Sequence, residues 1–324
     1  MNISIAMCTY NGERYLQQQL DSLASQAYLP SELVVCDDHS RDSTTQIVNR
    51  FSRNAPFPVR FIQNPENLGS TANFSQAIAL CKGDLIALCD QDDIWKEDKL
   101  SKQITPFGRD ARLGGAFCDG DLIDADSNPM NLSLWDSLGF TPLMRKQVLA
   151  GSPLLALARQ NFVTGATLIF RANLRSHFLR IPEKWVHDAW IAWKICTYSR
   201  LQLFSDHLVL YRIHSNNQVG VNLRPPTTLL RTRDQQSVIQ LHQEELFRMI
   251  LLLESIPEET TPEEALSKRL VERRILFLQS RLTIVQQPYL SRAGSLLLEA
   301  NNYMQFAKGW RSIIGDLLLR EKAS

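Results

Sequence analysis

Rhythm is the strongest constraint in the first hundred residues. Short, almost uninterrupted apolar runs alternate with helical patterns: "ISIAMCTY" precedes "ERYLQQQLDSLASQ", "ELVVCDD" precedes "DSTTQIVNRFSR", "VRFIQN" precedes "TANFSQAIALC", and "DLIALCD" closes the series. Runs that are apolar at nearly every position belong to strands covered on both faces, and the intervening helices supply the cover. The pattern therefore predicts βαβ units and a parallel sheet. In the third helix Phe74, Ile78 and Cys81 are expected to share the buried face.

The segments that follow the strands carry the chemistry. They read "TYNGE", "DDHSRDS", "NPENLGS" and "DQDDIW". In a parallel sheet all four emerge at the same edge, beyond the carboxyl ends of the strands, which is where such sheets bind ligands.

Composition narrows the function classes. Of 324 residues, 44% are apolar and 21% charged, and the formal net charge is +1. This is a globular composition, without the basic stripe that nucleic-acid binding requires, so no nucleic-acid partner is expected. The six cysteines (Cys8, Cys36, Cys81, Cys89, Cys118, Cys196) form no C-x-x-C pair and fall in apolar runs, as buried reduced thiols do. The opening "MNISIAMCTYNGERYL" lacks the charged and apolar regions of a signal peptide. No segment reaches the roughly 18 apolar residues of a membrane span, and a cytoplasmic protein is expected.

From about residue 105 to 225 the rhythm loosens: "GGAFCDGDLID", "FVTGATLIF" and "HLVLYRIH" read as strands and "VHDAWIAWKIC" as a helix of the same α/β domain. The paired prolines of "NLRPPTT" (222–228) mark a break. Beyond it, residues 229–253, 263–285 and 289–320 carry helical spacing, so the expected division is an α/β domain over 1–222 and a helical extension over 223–324.

Asp90, Asp92 and Asp93 lie within four positions. Two carboxylates about 4 Å apart repel by roughly 4 kcal/mol at an effective dielectric of about 20, against about 1 kcal/mol in bulk water. Crowding them in a cleft calls for a cation, and all-oxygen ligands suit Mg²⁺ or Mn²⁺ shared with substrate phosphates. An exposed acidic turn capping the next helix fits the same residues. Asp37 and Asp38 end the neighbouring strand, where acids accept hydrogen bonds from ribose or base; capping the helix that begins near Asp42 is their other use.

The ordered set "CTYNGERYLQQQLDSL", "VVCDDHSRDST", "NPENLGSTANFSQAI", "GDLIALCDQDDIW", "NFVTGATLIFR", "VHDAWIAW" and "YRIHSNNQVG" resembles the family 2 glycosyltransferases, and within them the bacterial rhamnosyltransferase-like members. The resemblance covers roughly residues 1–220 and leaves out the tail. It implies a GT-A-type, Rossmann-like, mostly parallel sheet with helices on both faces, a nucleotide-diphosphate sugar donor, Mn²⁺ or Mg²⁺, and inversion at the anomeric carbon. Carried over, it puts Thr9, Tyr10, Asn11 and Glu13 in the nucleotide pocket, Asp37 and Asp38 at base and ribose, and Asn67, Gly69 and Asn73 near the donor. Asp90, Gln91, Asp92 and Asp93 form the D-x-D-type element, with Asp92 or Asp93 at the metal and Asp90 or Asp92 at ribose or sugar. Ala72 stands where many relatives carry a basic residue, which shifts charge neutralisation towards the cation.

Asp188 matches the family's base, which takes the proton of the attacking acceptor hydroxyl. A helix N-cap with a solvent-facing His187 beside it is the other use of that residue. Gly165 is expected to let backbone approach the acceptor or sugar from within a strand, and His214 is a third metal-ligand candidate. Trp185, Trp190 and Trp193 suit either a sugar platform or the core. The implied substrate is a sugar, with rhamnose from dTDP-rhamnose first and a UDP-hexose or UDP-N-acetylhexosamine second; the implied acceptor is a cell-surface polysaccharide or lipid-linked glycan. A non-catalytic nucleotide-sugar-binding partner protein is the rival from another class. The amphipathic "FAKGWRSIIGDLLLRE" suits packing on the domain, a homodimer, or peripheral contact with the inner face of the plasma membrane.

Overall fold

The structure is a computed structural model that describes residues 1–215, 217, 234–257 and 261–319. They fall into two compact units, Met1–Gly151 with Phe162–Asn222, and Ser152–Asn161 with Leu223–Ser324.

The first unit is built on one sheet. Strands β1 (Ile3–Thr9), β2 (Glu32–Asp37), β3 (Val59–Gln63) and β4 (Leu85–Cys89) alternate with helices α1 (Leu16–Ala24), α2 (Thr44–Ser52) and α3 (Ser70–Leu80). All pairings among these four strands are parallel, in the order β3-β2-β1-β4. Chain order reverses between β1 and β4, which opens a crevice at their carboxyl ends. The helices form where the spacing predicts: Leu16, Leu20 and Leu23 of α1 are buried on one face, as are Phe74 and Ile78 of α3, with Cys81 just beyond it. Ile5, Leu33, Leu85 and Ala87 meet the three leucines of α1 in the main core.

After β4 the sheet becomes mixed. Strand β5 (Ile94–Trp95) and helix α4 (Lys99–Ile104) lead to β6 (Leu113–Ile123), β7 (Pro129–Ser133), and the short helices α5 (Leu134–Leu138) and α6 (Pro142–Leu149). Helix α7 (Pro153–Leu157) belongs to the second unit; β8 (Leu168–Arg171), α8 (Arg175–Phe178), α9 (His187–Tyr198) and β9 (Arg200–Arg212) complete the first. The order continues β4-β8-β6-β9-β5, with β7 on β6. β8 runs antiparallel to β4 and β6, β5 antiparallel to β9, and β6 parallel to β9. The sheet is thus parallel through β4 and mixed beyond. "FVTGATLIF" splits: Gly165–Thr167 is a 3₁₀ turn and only Leu168–Arg171 is strand. Gly165 therefore serves a turn and not a strand interior.

The second unit packs α7 with α10 (Gln235–Glu254), α11 (Pro262–Val285), α12 (Tyr289–Leu298), α13 (Ala300–Phe306) and α14 (Trp310–Leu317). Its interior centres on Phe277, Tyr303 and Phe306, with Arg281 bidentate to Asp316 (2.6 and 3.0 Å) and the Tyr303 hydroxyl donating to the same carboxylate. The segment 152–161 joins these helices because Leu154, Ala156 and Leu157 bury against them, a pairing distant in sequence. The proline break at 222–228 lies outside the described residues. No helix among the described residues is long and apolar enough to cross a membrane. Leu33→Ala, which empties a fully buried site in the β-sheet core, is expected to cost about 2–5 kcal/mol, read as a lower midpoint in denaturant unfolding.

Candidate active site

The loops after β1 and β4 are stitched across the crevice by one side chain. The Tyr10 N–H donates to Gln91 Oε1 (2.9 Å) and Gln91 Nε2 donates to the Tyr10 carbonyl (3.0 Å). Along the same rim Asn11, with a left-handed φ of 46°, donates its N–H to Ser40 Oγ (2.9 Å) and accepts from the Arg41 N–H (3.0 Å). Glu13 donates its N–H to Asp42 Oδ2 and accepts from the Ser43 N–H. Tyr10, Asn11 and Glu13 are exposed and Gln91 is half-buried, so these four line an open rim.

Thr9, Asp37, Asp38 and Asn73 lie behind it, in the interior. Asp37 accepts from Thr9 Oγ1 (2.8 Å), Ser40 N–H (2.9 Å) and Ser40 Oγ (2.5 Å). Asp38 accepts from the N–H groups of Leu68 (2.8 Å) and Gly69 (2.9 Å) and from Asn64 Nδ2 (3.0 Å). Both side chains are buried and accept hydrogen bonds from neighbouring protein groups. These bonds fix the loops that follow β2 and β3. Gly69, at φ 82°, takes a conformation open to glycine and presents its N–H to Asp38. Asn67 is exposed and donates to the Asp38 carbonyl (3.3 Å), while buried Asn73 donates to the Cys36 carbonyl (2.8 Å).

The acidic turn divides its three carboxylates. Asp92 Oδ2 lies 2.8 Å from His214 Nε2, and the two side chains retain 16% and 10% exposure. Asp93 turns inward: Oδ1 accepts from the Arg212 N–H (2.9 Å), Oδ2 is buried with no partner among the described residues, and burial followed by the charges of Asp92 and Asp90 pushes its carboxyl well above the usual range. Asp90 accepts from the Ala166 N–H, and its carboxyl is pushed up to about 8, by desolvation first and then by Asp92 and Asp188. Asp188 arrives from α9, where it is the second helical residue; Val186 is the N-cap, so capping is not its role. Asp188 Oδ2 accepts from the Gly165 N–H (3.1 Å). Successive N–H groups of the 165–167 turn thus hold the two carboxylates, one from β4 and one from α9. His187 is buried, contrary to a solvent-facing position, because its ring stacks on Phe74 at 3.9 Å. Trp185, Trp190 and Trp193 are buried core residues.

Arg212 has no counterpart among the expected site residues. It is fully buried behind the acidic turn, where Nε donates to the Asp92 carbonyl (2.7 Å), Nη1 to Ser127 Oγ (2.7 Å) and Nη2 to Gln18 Oε1 (2.7 Å). Its guanidinium also lies 4.6 Å from the ring of Tyr15, which stacks on His214. The signal was present in "YRIH": a cation two positions before a ligand-type histidine, on a strand bound for the interior.

The architecture places the first unit among GT-A glycosyltransferase folds. TarS (1–349) from S. aureus, solved in complex with UDP-GlcNAc, superposes with a TM-score of 0.61 at 17% identity, covering 98% of this chain and 90% of that one. The mannosyltransferase PcManGT from Pyrobaculum calidifontis, solved with GDP-Man and Mn²⁺, gives 0.56 at 16% identity, covering 93% and 75%. Residues 4–154, a little under half of the chain, match the family model described as "Glycosyl transferase family 2". Among its relatives, an uncharacterised Mycobacterium tuberculosis protein is 32% identical over 171 residues, 52% of this chain and 46% of that protein. The dTDP-rhamnosyl transferase RfbG of Shigella flexneri is 26% identical over 227 residues, 67% of this chain and 74% of RfbG. The chain therefore spans about half the length of the mycobacterial relative it matches.

Arg212→Met leaves the acceptors it serves unpaired and removes the cation behind three carboxylates. An expected loss of about 3–5 kcal/mol in unfolding free energy, with weaker nucleoside-diphosphate binding in calorimetry, checks this assignment.

Proposed function

We propose that this chain transfers a sugar, with inversion, from a nucleotide-diphosphate donor to a cell-surface polysaccharide or lipid-linked glycan. The observation that carries the reading is the convergence of Asp188 with Asp90 and Asp92 in one field of like charge, although they come from different elements. Asp188 is the general base: fixed through Oδ2 by the Gly165 N–H, it takes the proton of the acceptor hydroxyl as that oxygen attacks the face of the sugar opposite the diphosphate. Tyr10, Asn11, Glu13 and Gln91 form the rim for the nucleotide, with Asp37 and Asp38 shaping it from beneath.

A divalent cation fits the donor set at the acidic turn. Asp92 and His214 offer one carboxylate and one imidazole side by side, both partly exposed. Among the described residues no three His, Cys, Asp or Glu side chains form a cage, so Asp92 and His214 are the residues that would hold Mn²⁺ or Mg²⁺, ions that take oxygen ligands from substrate phosphates as well. When bound, it neutralises charge on the departing diphosphate. Asp93 and Arg212 set the turn from within.

The resemblance to RfbG favours rhamnose from dTDP-rhamnose as the transferred sugar. A screen of nucleotide sugars with Mn²⁺ tests the donor: turnover of dTDP-rhamnose is expected, and turnover of a uridine donor alone rejects rhamnose. A chelator is expected to abolish that turnover. Asp188→Asn is expected to cut turnover by about 10²–10⁴-fold with nucleoside-diphosphate binding retained, and unchanged turnover removes the base assignment.

A further inference from the structure

His187 is an anomaly in the interior. Its side chain is buried, and among the described residues neither ring nitrogen has a hydrogen-bond partner. Buried polar groups are nearly always paired, so an orphaned imidazole beside the base needs a reason. One face of the ring is fixed: it stacks on Phe74 at 3.9 Å with 19° between planes, and Phe74 is itself buried on α3. The segment leading into α9 is anchored to the same helix, because Thr71 Oγ1 donates to the Trp185 carbonyl (2.9 Å). The leading edge of the ring meets Gly165. A Cβ on that glycine would stand 2.9 Å from His187 Nε2 and 3.8 Å from Asp90 Oδ2, so the bare α-carbon is what lets the imidazole close against the turn.

That turn is also what holds the base, through the Gly165 N–H on Asp188 Oδ2. We propose that His187 is a positioning residue for Asp188, a wedge between the Phe74 ring and the bare face of Gly165 that keeps the Gly165 N–H on the carboxylate. Burial holds the imidazole neutral, with its pKa pushed down to about 3, so the wedge adds no charge to a site already crowded with carboxylates. The device ties α3, which carries the donor-side loop at its N-terminus, to α9, which carries the base, so that the two sides of the reaction keep one spacing. The proposal rests on Asp188 being the base.

The test uses the full chain, nucleoside-diphosphate release from the donor selected by the screen above, and thermal unfolding as the folding control. His187→Ala is expected to lower kcat at least tenfold with donor KM within twofold. His187→Gln, whose planar amide reaches towards the same point of Gly165, is expected to restore most of kcat. Gly165→Ala disturbs the clasp from its other side and is expected to repeat the His187→Ala split, which keeps the test decisive if His187→Ala does not fold. Filling space alone would change the melting temperature and leave kcat of the folded protein intact. Wild-type kcat in folded His187→Ala, or in Gly165→Ala, beside an inactive Asp188→Asn overturns the wedge and leaves the base standing. Wild-type kcat in Asp188→Asn overturns both.

Discussion

Arg212 lets a cluster of carboxylates exist at the end of a buried strand. Its guanidinium donates to a main-chain carbonyl of the acidic turn and to the neutral side chains of Ser127 and Gln18, while its backbone N–H takes Asp93. None of these contacts neutralises its charge by direct pairing with an acid. Burial and the charges of Asp92 and Asp90 hold the Asp93 carboxyl well above the usual range, and the Arg212 N–H and charge act against them. Asp90, for which the Ala166 N–H is the opposing influence, is shifted upward as well. The turn thus holds two carboxyls whose charged forms are disfavoured by burial and by neighbouring like charge.

Aspartates of similar appearance in the sequence do different work according to what donates to them. Asp37 and Asp38 are saturated by hydroxyl and N–H donors and act as fasteners for loops. Asp92 meets an imidazole, and Asp188 and Asp90 are held by neighbouring N–H groups of one turn. The functional distinction is one of partners and residual exposure, and neither is a property of local sequence.

This explains what could be read in advance. Unbroken apolar runs at regular spacing carried the parallel half of the sheet, since strand and helix periodicity are local signals and the connections there are short. The convergence of the post-strand segments followed from that geometry alone. The antiparallel entry of β8 and the enrolment of residues 152–161 among the helices depend on pairings far apart in the chain, which no window of sequence displays. At the candidate site, Asp188, Asp90, Asp92 and His214 stood out through residue type and resemblance. Arg212 escaped because a cation in a strand reads as an edge or surface residue, and His187 because its value lies in shape against Gly165 rather than in its nitrogens.

The discontinuity of the helical unit has a practical corollary for dissecting the molecule. Because α7 is threaded out of the middle of the catalytic stretch, a stop codon placed after the sheet would strand Leu154 and Leu157 in water with nothing left to cover them. The appendage is accordingly woven into its host by two separate passes of the chain, and a clean excision requires replacing the 152–161 detour with a polar bridge as well as deleting the tail.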